Sequence, residues 1–171
     1  MNKLTSLLAA VLLLPASVMA NSITDSQTIT NGGFGSVGYT YFSQDATGTT
    51  SLETFTGTFD SELFLFKDDG ALSLGDLITH NDDGGTFNGF SWYNSLISLT
   101  LDAGNYIAAV GAFNLNTREA VSGVNNGSRG FGDYDLVITS TANVSVPAPA
   151  SIALLGLGLL CMGATRRRGS K

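Results

Sequence analysis

The chain has 171 residues, with 14 acidic and 8 basic side chains, a formal net charge of −6, one histidine and one cysteine. This length is enough for one domain, and the acidic balance argues against nucleic acid and anionic lipid surfaces as partners. A lone cysteine forms no internal disulfide, and so few histidines and cysteines leave zinc without its usual ligands.

The first 20 residues predict a secretory signal peptide, which a signal peptidase would remove. Lys3 precedes an apolar stretch, residues 4–14, that is too short to span a bilayer of ~30 Å, and Pro15 would break a helix there. Small residues then lead up to Ala20, and we expect cleavage after it. The alternative is a buried helix at the N-terminus.

Residues 21–145 form the predicted folded domain. They contain no proline and no cysteine, and they carry all 14 acidic residues but only 3 basic ones, a net charge of −11. A charge of this sign favours solubility and attracts cations. The simpler interpretation is a solvated acidic surface on an exported protein.

Short segments with alternating apolar side chains recur through this domain and predict β-strands. In chain order they are residues 26–30, 37–42, 53–59, 63–66, 76–80, 96–101, 106–113 and 133–139. The apolar run 63–66 predicts a central strand buried on both faces. The turn at 102–105 predicts a hairpin between its two flanking strands, and the polar stretch 114–132 predicts a long loop. Seven to nine such strands without helical spacing favour an antiparallel β-sandwich.

The order of these segments is similar to that of a known domain. A strand ends in Asp68-Asp69-Gly70, the next ends in Asn81-Asp82-Asp83-Gly84-Gly85, and Asp133-Tyr134-Asp135-Leu136 closes the series. Over residues 54–140 it resembles the bacterial pre-peptidase C-terminal domain family. The resemblance implies a small jelly-roll-like sandwich of the kind attached to secreted enzymes and surface proteins. No catalytic domain accompanies it in this chain.

Carboxylates near the ends of the predicted strands are candidate metal ligands, namely Asp60, Asp68, Asp82 and Asp83. Hard oxygens from carboxylates, an Asn amide and loop carbonyls suit Ca²⁺, and some members of the resembled family bind calcium near such positions. The spacing is not that of an EF-hand, since the twelfth position from Asp82 is Tyr93 rather than glutamate. The alternative is that Asp-Gly and Asn-Asp pairs simply form good turns.

The composition of the domain allows two further functions. The aromatic residues Trp92 and Tyr93 are candidates for a glycan-binding platform, and the alternative is that Trp92 packs on the core. A carbohydrate-active enzyme needs only two carboxylates in a cleft, so composition does not exclude one. A serine hydrolase is disfavoured, because the chain has no Gly-x-Ser-x-Gly elbow and only His80 as a base. We therefore predict a non-enzymatic domain.

The last 26 residues, 146–171, have three parts. An apolar run, residues 150–164, spans about 22 Å as a helix and predicts a short transmembrane segment. Positive side chains after it, at Arg166, Arg167 and Arg168, predict a cytoplasmic end and an exported body. Before it stands the motif Val146, Pro147, Ala148 and Pro149. The prolines favour an extended backbone, which a protease can bind in its active site.

This tail resembles a PEP-CTERM sorting domain, the substrate tag of exosortase-type transpeptidases in Gram-negative bacteria. It departs from the usual pattern at Ala148, where a glutamate is common. The resemblance implies a precursor tethered to the inner membrane, then cut and released or transferred, in organisms that make exopolysaccharide and biofilm. The expected role of the mature domain is structural or adhesive, and its expected place is the periplasm, the cell surface or the outside of the cell. The alternative for the tail alone is an ordinary membrane anchor.

Overall fold

The computed structural model describes residues 20–87 and 93–147, with only the backbone at Ala20, Phe87 and Tyr93. Most of them lie in nine strands: β1 (Ala20–Ile29), β2 (Val37–Gln44), β3 (Gly48–Thr56), β4 (Ser61–Lys67), β5 (Leu77–Asn81), β6 (Gly84–Phe87), β7 (Tyr93–Leu101), β8 (Gly104–Ala112) and β9 (Gly132–Ser145). A 3-10 turn (Leu74–Asp76) and the helix α1 (Thr117–Ser122) complete the elements. Neither described stretch holds a helix long and apolar enough to cross a membrane. The predicted signal peptide, apart from Ala20, and the predicted C-terminal span lie outside these residues.

The strands form two antiparallel layers, as predicted for a β-sandwich. One layer has the order β5-β4-β8-β2, and the other has β9-β3-β7-β6 with β1 on the free side of β9. A single corner joins them, where Ser43 and Gln44 of β2 pair with Ser145 and Val144 of β9. The expected fold class is therefore confirmed, and the corner places the end of β9 at the edge of both layers.

The main core lies between the layers. Leu63 and Leu65 of β4 face Leu136 and Ile138 of β9, and all four side chains are completely buried. Their alternate positions on each strand put apolar groups inward and polar groups outward. The predicted inward faces of residues 96–101 and 133–139 are confirmed, because Ile97, Leu101, Tyr134, Leu136 and Ile138 all belong to this core.

A second, smaller core covers the outer face of β4. Phe64 and Phe66 pack there with Val37, Leu115 and Ala120, beneath the loop that carries α1. Because both faces of β4 are covered and both of its edges pair, with β5 and β8, every residue from 63 to 66 is buried. This explains the continuous apolar run and confirms the central strand.

The predicted hairpin between residues 96–101 and 106–113 is wrong in its pairing. Both strands exist, but β7 pairs with β3 and β6, whereas β8 pairs with β2 and β4. The turn between them crosses from one layer to the other. Each strand already has a partner on both of its edges within its own layer, so neither has an edge left for the other.

Two local predictions also need correction. The turn assigned to residues 81–85 gives way at Gly84 to β6, which pairs with β7. The loop 114–132 contains α1, which starts with a capping box between Asn116 and Glu119 and ends at Gly123 with φ +78°. The Asn-x-x-Glu spacing and the glycine are helix signals in the sequence. The helix is only 6 residues long, too short for its periodicity to register.

Candidate functional site

The C-terminal motif begins where the sandwich ends. Ser145 is the last residue of β9, is 8% exposed, and its Oγ lies 2.8 Å from Oγ of Ser43 on β2. Val146, directly after it, is already 43% exposed, and Pro147 is exposed as well. The motif therefore emerges from the folded domain without any spacer.

The register of β2 and β9 shows why pairing stops there. The backbone N–H of Asp45 donates to the carbonyl of Asn143, so odd-numbered β9 residues point their hydrogen-bonding groups at β2. In the same register Ser145 faces Ser43, and position 147 would face Tyr41. A proline there has no N–H to donate. Pro147 therefore falls where the ladder needs a donor, and the strand ends.

A pocket of about 380 Å³ adjoins this point. Its lining comes from β1, β2 and the start of the motif: Asp25, Tyr39, Thr40, Tyr41, Val146 and Pro147. The Asp25 carboxylate accepts hydrogen bonds from the Gln27 amide and from the Thr40 hydroxyl, each 2.6 Å long. The Gln27 amide also donates to the Tyr39 carbonyl at 2.9 Å. Side chains of β1 thus hold this face of β2 in place.

Four carboxylates gather at the other candidate region, here called the acidic cluster: Asp60, Glu62, Asp82 and Asp83. Asp60 directly precedes β4 and Asp82 directly follows β5, and these two strands pair in antiparallel fashion with Leu63 opposite Asn81. Antiparallel pairing brings the start of one strand beside the end of the other. The sequence positions alone therefore place these carboxylates at one end of the layer.

Proximity and burial raise the pKa values of this cluster. Burial, and then the charges of Asp82 and Asp83, raise the pKa of Asp60 to about 6. Burial, the charge of Asp82 and the weaker charges of Asp60 and Glu119 raise the pKa of Glu62 to about 7, against a backbone hydrogen bond from Leu115 that lowers it. The pKa of Asp82 is raised by burial and by Asp83, while His80 lowers it. Part of the cluster therefore binds protons near neutral pH.

Two oxygens of the cluster have no partner. The Oδ1 atoms of Asp60 and Asp82 are shielded from solvent and accept no hydrogen bond within the described stretches. Even so, no three His, Cys, Asp or Glu side chains among residues 20–87 and 93–147 are arranged to hold a metal ion together. The carboxylates raise one another's pKa values, but they are not arranged as a coordination shell for a metal ion.

Asp68 lies far from this cluster. It follows the opposite end of β4, whose 7 residues put it about 25 Å along the strand from Asp60. Its Oδ1 accepts from the backbone N–H of Gly70 at 3.0 Å, which closes the turn after β4. Of the four candidate ligands, the structure thus brings together Asp60, Asp82 and Asp83.

The structure describes only some of the candidate residues for glycan binding and sorting. Trp92 lies outside the described residues, and of Tyr93 only the backbone, at the start of β7, is described. Val146 and Pro147 of the motif are described, whereas Ala148, Pro149, Arg166, Arg167 and Arg168 are outside the described residues.

Sequence reasoning missed the contribution of Asp25 and Thr40 to the pocket beside the motif. They are far from the motif in the chain and come next to it only because β1 and β2 both lie by the end of β9. It also missed Glu119, whose charge reaches Glu62 from α1. No local sequence signal identifies either set, since strand pairing and helix packing bring them together.

The tail matches a known family model, and the folded domain is similar to solved structures. Residues 145–168 match the family model of the PEP-CTERM protein-sorting motif. Among solved structures, the pre-peptidase C-terminal domain of a Bacillus anthracis collagenase is similar at 12% identity and TM-score 0.45, over 69% of this chain and 89% of that one. Aeromonas hydrophila PliG, a periplasmic inhibitor of g-type lysozyme, is similar at 17% identity and TM-score 0.46, over 71% and 88%. No curated protein matches the sequence.

The matched segment starts at Ser145, so it takes in the last residue of β9 together with the extended, proline-containing stretch that follows. The predicted recognition of the tail is confirmed. The chain carries a PEP-CTERM protein-sorting motif and is an exported, envelope-targeted protein whose tail is addressed to an exosortase.

Proposed function

We propose that this protein is a non-enzymatic component of the cell surface or extracellular matrix, with a structural or adhesive role in envelope or biofilm. An exosortase-type transpeptidase would cut it at the motif after a signal peptidase has removed residues 1–20. The observation that carries the proposal is the sorting motif placed directly at the end of an acidic β-sandwich. Exopolysaccharide is the partner class that we expect for the released domain.

The acidic cluster supports a non-enzymatic role. The pKa of Glu62 is raised to about 7 by burial and by neighbouring carboxylates, and its side chain is only 8% exposed. These causes account for the raised pKa without a reaction at this residue.

A glycan-binding module is the alternative function. Its support is the half-exposed ring of Tyr41, 47% accessible, beside a pocket with a hydrogen-bonded carboxylate. Aromatic rings with nearby polar groups are suited to sugar rings. Binding to the organism's own exopolysaccharide, lost on replacing Tyr41 by alanine, would favour this alternative over a purely structural role.

Mass spectrometry of the protein recovered from its native envelope tests the sorting proposal. We expect a mature chain that begins at Asn21 and lacks Arg166, Arg167 and Arg168, because cutting at the motif removes everything after it. A host without the exosortase serves as the control and should retain the tail. Recovery of intact arginines from the native envelope would instead support a plain membrane anchor.

We further propose that Ca²⁺ binds the acidic cluster by drawing its carboxylates together. The support is the pair of unpartnered oxygens on Asp60 and Asp82 and the mutual repulsion of charges that a divalent cation would neutralise. Calorimetry at pH 7.5 should show a higher melting temperature in Ca²⁺ than in EDTA, by the equivalent of about 2–3 kcal/mol at 100-fold excess over Kd.

Two variants control the calcium experiment. Asp82→Asn should remove the Ca²⁺ effect, whereas Asp68→Asn, at the far end of β4, should leave it unchanged. Equal melting temperatures in Ca²⁺ and EDTA for the unmodified protein would refute the calcium proposal and leave the sorting proposal intact.

A further inference from the structure

The absence of a spacer constrains how the sorting enzyme reaches its motif. Ser145 is buried in β9, and the predicted membrane span starts at residue 150. The few residues between them extend over at most about 18 Å. An enzyme that seats residues 146–149 must therefore touch the sandwich beside them.

The surface it meets is an open strand edge. β2 pairs with β8 along its whole length, but on its other side it pairs with β9 only at Ser43 and Gln44. The Tyr39 carbonyl on that side is taken by the Gln27 side chain. Tyr41, between these two points, pairs with Ile107 of β8 on one side, and on the other side it pairs with no strand in the described part of the chain.

Pro147 prevents β9 from pairing further along this edge. It would face Tyr41 in the register of β9, so it falls where pairing requires an N–H. A residue with a donor at this position would be able to extend β9 along β2. Pro147 excludes that outcome.

We propose that the sorting enzyme docks on this edge of β2 around Tyr41, as well as on the motif itself. The proposal rests on the proposed sorting function and names the surface through which it acts. An apolar or aromatic side chain of the enzyme would enter the pocket between Tyr41 and Pro147. The pocket, at about 380 Å³, has room for such a group.

Two changes test the proposal in the full-length precursor, in a host that expresses the exosortase. Tyr41→Ala removes the half-exposed ring at the pocket. A flexible insertion of eight Gly and Ser residues between Ser145 and Val146 leaves the domain and the motif unaltered but separates them. The matched control is Phe131→Ala, which removes another exposed ring, 58% accessible, next to Gly132 at the opposite end of β1. The rate of tail loss is followed by pulse labelling and mass spectrometry.

We expect tail loss about tenfold slower for Tyr41→Ala and for the insertion, and an unchanged rate for Phe131→Ala. Unchanged melting of Tyr41→Ala establishes that the domain is folded, and the insertion gives a second reading should that variant unfold. Tail loss at the unmodified rate or faster, either in folded Tyr41→Ala or with the insertion, would overturn the docking surface. If the unmodified precursor keeps its tail in the presence of the enzyme, the sorting function itself is refuted.

Discussion

Replacing Leu65 by alanine is expected to lower the free energy of unfolding by about 3–4 kcal/mol. Leu65 is completely buried in the main core, on a strand that pairs with β5 on one side and β8 on the other. Neighbours held by two ladders cannot collapse into the space left behind, so the variant loses both burial and packing contacts. Urea unfolding of the purified protein, followed by tryptophan fluorescence and circular dichroism, measures the change.

Leu74→Ala provides the matched control, because Leu74 is 51% exposed in the 3-10 turn before β5. It should change the unfolding free energy by less than about 0.5 kcal/mol. Similar losses for the two variants would show that β4 is not at the centre of the sandwich.

Replacing Glu62 by glutamine is expected to stabilise the protein above pH 7. The pKa of Glu62 rises from its ordinary value of 4.5 to about 7 on folding, mainly through burial and then through the charge of Asp82. Glutamine has a similar shape and carries no charge, so it removes the cost of ionising a buried carboxyl beside other carboxylates. The expected gain at pH 8 is about 1–3 kcal/mol, and at pH 4.5 the two proteins should be nearly equal.

The direction of the pH dependence of stability follows from proton binding to the folded and unfolded states. Between pH 4.5 and pH 7 the folded protein keeps a proton on Glu62 that the unfolded chain has already released. Stability therefore falls as pH rises through this interval. Asp60 acts in the same direction, since its pKa rises from 3.8 to about 6. The unmodified protein should melt at a higher temperature at pH 5 than at pH 8 in EDTA.

Asp69→Asn controls for the loss of one negative charge from an acidic protein. Asp69 lies in the exposed turn after β4, at the end remote from the cluster. This variant should shift the unfolding free energy by less than about 0.5 kcal/mol at either pH. A pH dependence in Glu62→Gln as steep as that of the unmodified protein would show that other groups cause it.

Most strand positions were predictable because each depends on a local pattern, whereas the partners of β7 and β8 were not. The alternation in residues 96–101 and the apolar run 63–66 identify buried faces without reference to the rest of the chain. The connection from β7 to β8 is only Asp102 and Ala103, which also fits a hairpin. Nothing in those residues indicates that β7 and β8 belong to opposite layers. That choice depends on the competing partners β3 and β4, which are distant in the chain.

The candidate sites also differ in how far the sequence predicts them. The approach of Asp60 to Asp82 follows from a short β4–β5 connection, and the separation of Asp68 follows from strand length. The pocket beside Tyr41 required β1 and β2 to meet the end of β9, which lies more than 100 residues further along the chain.

The sequence alone determined the strand-rich class, the acidic body and the sorting tail, because charge, alternation and a proline motif are properties of neighbouring residues. Only the tertiary structure decided which strands share a layer, how deeply Glu62 is buried, and that the motif leaves the sandwich opposite an open edge of β2. These features arise from long-range pairing, where burial of both apolar faces selects one partner among several strands of similar pattern.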